Sequence, residues 1–203
     1  MTLGNLFIIT AASGTGKTSL IKALLAKDAH LKLSISHTTR KPRPGEVDGS
    51  DYHFVDDASF LRMLGATQFL ESAEVHEARY GTSQAAVDGP LNAGFDVILE
   101  IDWQGAEQVR RLYPKAVSIF VLPPSVETLA YRLNTRGQDS RETIAKRVAA
   151  AREEMRHVSE FDYVTINDDF AIALQDISAI IRAQRLASAV QLQRYASLIS
   201  TLT

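Results

Sequence analysis

Three features of the sequence predict an α/β fold with a parallel sheet covered by helices on both faces. Short, largely apolar runs recur along the chain, helical periodicity fills the gaps between them, and a glycine-rich loop joins the first run to the first helix. A strand buried on both faces has no polar side to show, and parallel strands need crossover helices to connect them. Residues 6–9 form the first run. Residues 97–102 form the second and end in acid, residues 117–122 the third, stopped by Pro123 and Pro124, and residues 163–166 the fourth. Helical spacing covers 18–27, 103–112, 126–133 and 140–157. A longer helix, about 171–192, buries Leu174, Ile177 and Ile181. Its last part, from Ala187, carries a weaker apolar stripe, open to fraying or to self-association as a homo-oligomer.

Two stretches break this rhythm. Between 31 and 87 apolar and polar residues alternate in short bursts around Pro42, Pro44, Gly45 and Gly49, which predicts a small, partly antiparallel inserted unit. From 135 to 140 a polar loop separates two helices, and Asp139 with Glu142 has capping-box spacing for the second. That helix places Ile144, Val148, Ala151 and Met155 on one face.

Bulk properties narrow the function. A chain of 203 residues with 45% hydrophobic content can bury a full core. A formal net charge of −2 argues against a dedicated nucleic-acid binder, whose affinity rests on neutralising phosphates. The absence of cysteine excludes disulfides, thiolate zinc sites and cysteine nucleophiles, and suits a reducing compartment. Residues 1–10 lack the basic region and apolar run of a secretory signal, and no apolar stretch approaches the roughly 20 residues that span a bilayer. The expectation is a cytoplasmic protein without a membrane or nucleic-acid partner.

The chemistry begins at Ala11-Ala12-Ser13-Gly14-Thr15-Gly16-Lys17-Thr18, between a strand and a helix. Small residues let successive backbone N–H groups converge on a phosphate, and the helix N-terminus adds positive potential. In that pattern Lys17 bridges the β- and γ-phosphates of a nucleotide and the Thr18 hydroxyl ligates magnesium. Ala11 stands where the motif usually has its first glycine, which matters only if that position needs a positive φ. Glu100 and Asp102, at the end of the second strand, supply carboxylates where magnesium-bound water belongs. The Asn-Lys-x-Asp base-reading motif of GTPases does not occur.

A second cationic group lies at 34–46, where Arg40 and Arg43 flank a proline turn beside Ser36, Thr38 and Thr39. Arginine forks bind phosphate oxygens in pairs, and a rigid turn limits the entropy lost in holding them. Downstream come Tyr52, Glu71, Tyr80 and Thr82. A carboxylate can accept from both N1–H and the 2-amino group of guanine, an edge adenine lacks, while hydroxyls such as Ser36 and Thr82 can serve O6 and N7.

These pieces resemble guanylate kinase of the bacterial type. The shared stretches are the phosphate loop, 36–46, Asp51-Tyr52, Phe69-Leu70-Glu71, Tyr80-Gly81-Thr82 and Ile101-Asp102-Trp103-Gln104-Gly105. The C-terminal half adds Leu122-Pro123-Pro124-Ser125, Arg136-Gly137-Gln138-Asp139 and Ile166-Asn167-Asp168-Asp169. The resemblance implies a P-loop NTPase core over 4–184, a GMP-binding subdomain at about 34–86, a mobile lid at about 126–156 and a C-terminal helical extension at 185–203. It implies transfer of the γ-phosphate of ATP to GMP, giving ADP and GDP in purine nucleotide metabolism, with Mg²⁺ as cofactor. It places Arg40, Arg43, Tyr52 and Tyr80 on the GMP phosphate and Ser36, Glu71, Thr82 and Asp102 at the guanine. Arg136 and Arg147 belong on the transferring phosphoryl group, and Asn167 near the adenine of ATP. Glu77-Ala78-Arg79 departs from the family's usual Gly-Asn-Tyr before Tyr80, which puts the geometry there in question.

Two other readings compete: a catalytically dead module of the same family that binds protein partners, and a related kinase with a different phosphorylated acceptor. Intact Lys17 and Thr18 speak against the first; Ser36, Glu71 and Thr82 together speak against the second. His30, His53, His76 and His157 show no metal-ligand spacing, and strand alternation turns His37 away from the face that carries Ser36. Trp103 is expected to pack at a helix start.

Overall fold

The computed structural model describes residues 3–75, 77–135 and 141–202. Arg136 and the expected capping residue Asp139 lie outside them. The five core strands are β1 (Leu6–Ala11), β2 (Leu31–Ser34), β7 (Asp96–Glu100), β8 (Val117–Leu122) and β9 (Tyr163–Ile166), paired in the order β2-β7-β1-β8-β9 and all parallel. The four expected strands are present. The fifth, β2, was expected within the inserted unit; as an edge strand with Lys32 exposed it alternates, so it does not read as a buried run.

Alternation along β1 fills both faces of the sheet. Phe7 and Ile9 meet Leu20, Ile21 and Leu24 of α1 (Lys17–Lys27) and Leu174, Ile177 and Ile181 of α7 (Phe170–Arg185). Leu6 and Ile8 join Leu99 and Phe120 on the opposite face. There Val87 and Leu91 of α3 (Gln84–Asn92), and Ala106 and Val109 of α4 (Trp103–Leu112), complete the layer. Parallel strands covered twice in this way have no use for a polar face, which is why they were legible as apolar runs.

A second, four-stranded sheet lies between β2 and β7 in the chain. It comprises β3 (His37–Thr38), β4 (His53–Phe54), β5 (Phe69–Val75) and β6 (Ala78–Ser83) in the order β4-β3-β6-β5, with β6 antiparallel to both neighbours. Helix α2 (Asp57–Gly65), capped by the Asp56 carboxylate on the Ser59 N–H, packs Phe60 against this sheet by stacking on Phe69. Neither α2 nor α3 was expected. Both fall in the alternating stretch or at its end, and α3 carries Pro90 inside it.

Helices α5 (Val126–Thr135) and α6 (Arg141–Met155) form a smaller layer, with Leu129, Leu133 and Ala151 packed on Ala12 of the phosphate loop. The 3₁₀ turn Arg156–Glu160 follows. The long C-terminal helix is interrupted: α7 stops at Arg185, and α8 (Ser188–Arg194) and α9 (Ala196–Leu202) follow, neither with a buried residue. The break falls where the apolar stripe fades, since no core lies ahead to hold the helix straight. Arg185 also anchors the end of α7, donating to Asp28 at 2.6 Å and to the fully buried Asp96 at 2.6 Å.

Candidate active site

The phosphate loop leaves the carboxyl end of β1, the central strand, where the chain's connections diverge to the two sides of the sheet. Gly14 and Gly16 take φ of 90° and 95°, conformations that side chains disfavour. A Cβ on Gly14 would come within 2.9 Å of Leu133, and one on Gly16 within 2.5 Å of the Asn167 amide nitrogen. Ala11 closes β1 without a positive φ, so its methyl group costs nothing and the departure from glycine is harmless.

Behind the loop, Lys17 Nζ donates to the Ile101 carbonyl at 3.3 Å, and the Thr18 hydroxyl donates to Glu100 Oε1 at 2.6 Å. A hydroxyl and a carboxylate oxygen therefore sit together at the loop's mouth. Such hard oxygen donors suit magnesium. Asp102 is used differently: it caps α4, its Oδ1 accepting from the Gly105 N–H at 2.9 Å and its Oδ2 from Gln104 at 3.1 Å.

The same cleft runs from this loop to the second sheet and is lined there by Ser36, Arg40, Arg43, Tyr52, Glu71 and Tyr80. Arg40 is clamped by Glu46, Nη1 to Oε2 at 2.9 Å and Nη2 to Oε1 at 2.8 Å, and faces the Tyr52 ring. The Glu46 hydrogen bonds raise the arginine's pKa, with burial acting against them and Tyr80 assisting. Burial works against the Glu46 carboxylate, but the bonds from Arg40 and from the Arg43 backbone N–H hold it below its ordinary range. Tyr52 and Tyr80 meet edge to face at 5.9 Å, and burial, with Glu100 and Tyr80 acting in the same sense, pushes the Tyr52 phenol up to about 12. Tyr52 is thus a hydroxyl donor at neutral pH.

Glu71 is only 3% exposed. Burial pushes its carboxyl up to about 7; Thr82 hydrogen bonds pull it down and the charge of Asp102 adds to the rise. Thr82 lies behind Glu71 and Ser36, and its hydroxyl meets that of Ser36 at 3.1 Å. Register pairs Glu71 with Thr82, and the bond between the Ser36 and Thr82 hydroxyls completes a row of hydroxyl, hydroxyl and carboxylate. Glu77 takes φ of 63°, the left-handed conformation a glycine would adopt freely, so the departure from Gly-Asn-Tyr keeps the turn at a cost in strain. Arg79 is held outside by Asp57 at 2.8 Å, which leaves Tyr80 in the cleft.

Some residues sit elsewhere than at an open site. The Asn167 side chain is turned into the loop, donating to the Thr15 carbonyl at 2.6 Å while 4% exposed. Arg147 on α6 reaches Ser13 with Nη2 at 3.5 Å from the hydroxyl. Arg132 on α5, which no sequence motif marks, donates to the Asn167 carbonyl at 3.0 Å and to the Thr15 carbonyl at 3.4 Å. Nothing local distinguishes it from a helix-surface arginine. Trp103 stacks on His157 with centroids 3.6 Å apart, tying α4 to the 3₁₀ turn.

Strand order, loop position and a cleft with cationic groups at both ends make this a P-loop nucleotide-binding protein. The guanylate kinase family model matches residues 3–184, and the chain belongs to that family. It is 65% identical over 199 residues to the guanylate kinase of Methylobacillus flagellatus, covering 98% of each chain. It is 56% identical to that of Psychrobacter arcticus, with 98% of this chain and 96% of the relative covered. Among solved structures, guanylate kinase from Anaplasma phagocytophilum superposes with a TM-score of 0.79 at 31% identity, over 95% of this chain and 93% of the other. A gluconokinase from Sinorhizobium meliloti, with a TM-score of 0.51 and 16% identity over 95% of this chain and 99% of the other, shares the fold alone. Among the described residues no helix is long and apolar enough to cross a membrane.

Proposed function

We propose that the chain transfers the γ-phosphoryl group of ATP to GMP, giving ADP and GDP, and works in the cytoplasm. The observation that carries this reading is the single cleft, which has a phosphate loop at one end and, at the other, an arginine–tyrosine group beside a buried carboxylate. The guanylate kinases of 65% and 56% identity support the same assignment.

GMP already carries a nucleophilic phosphate oxygen, so catalysis rests on positioning and charge neutralisation rather than on a strong base. Arg40, Arg43, Tyr52 and Tyr80 would hold the GMP phosphate and offset repulsion between the two anions. Glu71 would accept from N1–H and the 2-amino group of guanine, with Ser36 and Thr82 reading the opposite side and Asp102 beside them. Lys17 and the loop N–H groups would hold the β- and γ-phosphates of ATP. A magnesium ion would be held by Thr18, with Glu100 and Asp102 acting through water; when bound it supplies positive charge to the phosphates. Arg147, on a layer that packs directly on the loop, would stabilise charge on the transferring group together with Arg136. Water competes as acceptor, so a lid at 126–156 that closes over both substrates would protect the transfer.

The test is a coupled assay for ADP release with ATP and Mg²⁺, comparing GMP, AMP, CMP and UMP. Fast turnover with GMP alone is expected. Turnover with another acceptor would overturn the guanine site. Folded protein that binds GMP without turnover would favour the dead module.

A further inference from the structure

We infer that Gly105 and Gln108, on one side of α4, are positioning residues for the acceptor base, because together they fix where the Glu71 carboxylate sits. The inference rests on the proposed role of Glu71 as the guanine reader.

Three observations converge on this. The first is a bulge in β5. Phe69 pairs with Ser83 and Glu71 with Thr82, so Leu70 is an extra residue without a partner in the ladder. A bulge re-aims the side chains beside it. Here it sends Leu70 into the core cluster that contains Ala106 and Val109 of α4, and it leaves Glu71 directed at the first turn of the same helix.

The second observation is the fit at Gly105. A Cβ built there would lie 2.4 Å from Glu71 Oε2 and 3.1 Å from Glu71 Cδ. Both distances are shorter than ordinary contact, the first by far. The helix can host the carboxylate only because residue 105 has no side chain. Its φ is not positive, so the glycine is not needed for backbone conformation. Space is the physical requirement.

The third observation is the grip of Gln108. Its Oε1 accepts from the Ser72 N–H at 3.1 Å and its Nε2 donates to the Ser72 carbonyl at 2.9 Å. Ser72 follows Glu71 on β5, the edge strand of the second sheet. The glutamine amide therefore pairs with the free edge as another strand would. It ties the core helix to the strand that carries Glu71, and does so one residue from the carboxylate. With α4 fixed in this way, a new methyl group at residue 105 would displace the buried Glu71 carboxylate from its place on the cleft wall.

The experiment compares the full chain with Gly105→Ala, Glu71→Asp, their combination, and Gln108→Leu. Initial rates are measured with GMP and with IMP, which lacks the 2-amino group. Gly105→Ala is expected to raise KM for GMP by about tenfold, with kcat and KM for ATP within about twofold, and to draw the GMP-to-IMP ratio of kcat/KM towards one, as loss of an aligned hydrogen-bonding group does. Aspartate is one methylene shorter and withdraws from the new methyl, so the double variant is expected to be no worse than Glu71→Asp alone. Gln108→Leu fills similar volume and is expected to raise KM for GMP several-fold with the same loss of preference. It carries the test if Gly105→Ala does not fold. Additive losses in the double variant, or equal losses for GMP and IMP, would overturn the positioning role. If Glu71→Asp itself leaves the GMP-to-IMP ratio unchanged, the guanine-reading role of Glu71 fails first, and the inference with it.

Discussion

Replacing Glu71 by glutamine should make the protein more stable in mild alkali while weakening its preference for guanine. The carboxyl has an ordinary value of 4.5 and is pushed to about 7 in the fold, chiefly by burial. Between those pH values the folded chain keeps a proton that the unfolded chain has released, so stability falls as pH rises through that window. The separation is about 2.5 pH units, and 1.36 kcal/mol for each gives a penalty of about 3 kcal/mol, fully developed above pH 7. Glutamine has nearly the same shape, can still bond with Thr82 and does not titrate. Its stability relative to wild type should therefore change little below pH 4.5 and improve by about 3 kcal/mol between there and pH 8. Urea unfolding of both proteins in half-unit steps from pH 5 to pH 8.5 measures the difference, with GMP and AMP kinetics at pH 8 run alongside. A difference that stays constant within about 0.5 kcal/mol across the range would show that the buried carboxylate is charged at no cost, and would refute the reasoning. A gain in stability paired with a higher KM for GMP is the signature of a site that holds its charge against the fold.

Four further outcomes are expected. Lys17→Met should lower kcat by on the order of 10³ with an unchanged melting curve, since the lysine's hydrogen bond to Ile101 is a single long one; retention of a tenth of the activity would contradict its role. Asn167→Ala should raise KM for ATP several-fold and leave KM for GMP alone, because its amide braces the Thr15 carbonyl; parallel changes in both constants would sink that reading. Glu77→Gly should stabilise the protein by about 1 kcal/mol by relieving a left-handed residue, which thermal unfolding can check; a lower Tm would show that the turn is not strained. Arg185→Leu should cost about 3 kcal/mol in urea unfolding, since among the described residues it leaves the fully buried Asp96 carboxylate with Asn5 alone as partner; a cost under about 1 kcal/mol would mean that Asn5 suffices.

Four of the five core strands and the phosphate loop were decided by the sequence alone. Strands β1, β7 and β8 are buried on both faces, so each had to be written as an apolar run, and a phosphate cradle requires small residues between a strand and a helix. Strand β9 was legible for its β-branched and aromatic residues although, as an edge strand, it leaves Tyr163, Val164 and Ile166 exposed. Strand β2 and helices α2 and α3 were not legible, because an edge strand and short, half-exposed helices mix polar and apolar residues without a clear period. The end of α7 was not legible either, since helical propensity continues past Arg185 while the core that supports it does not. At the cleft, residue types suggested the chemistry we propose: arginines for phosphate, a carboxylate for guanine, a lysine after the loop. Tertiary structure alone decided their states. Burial and the neighbouring charge of Asp102 raise Glu71 to about 7, and register brings Ser36 to Thr82 across 46 residues. Only packing reveals that Arg132 and Asn167 hold the loop, and that an unstrained glycine on α4 makes room for a carboxylate. A sequence records which groups are available, whereas pKa, bracing and clearance depend on distances between residues far apart in the chain, which exist only once it has folded.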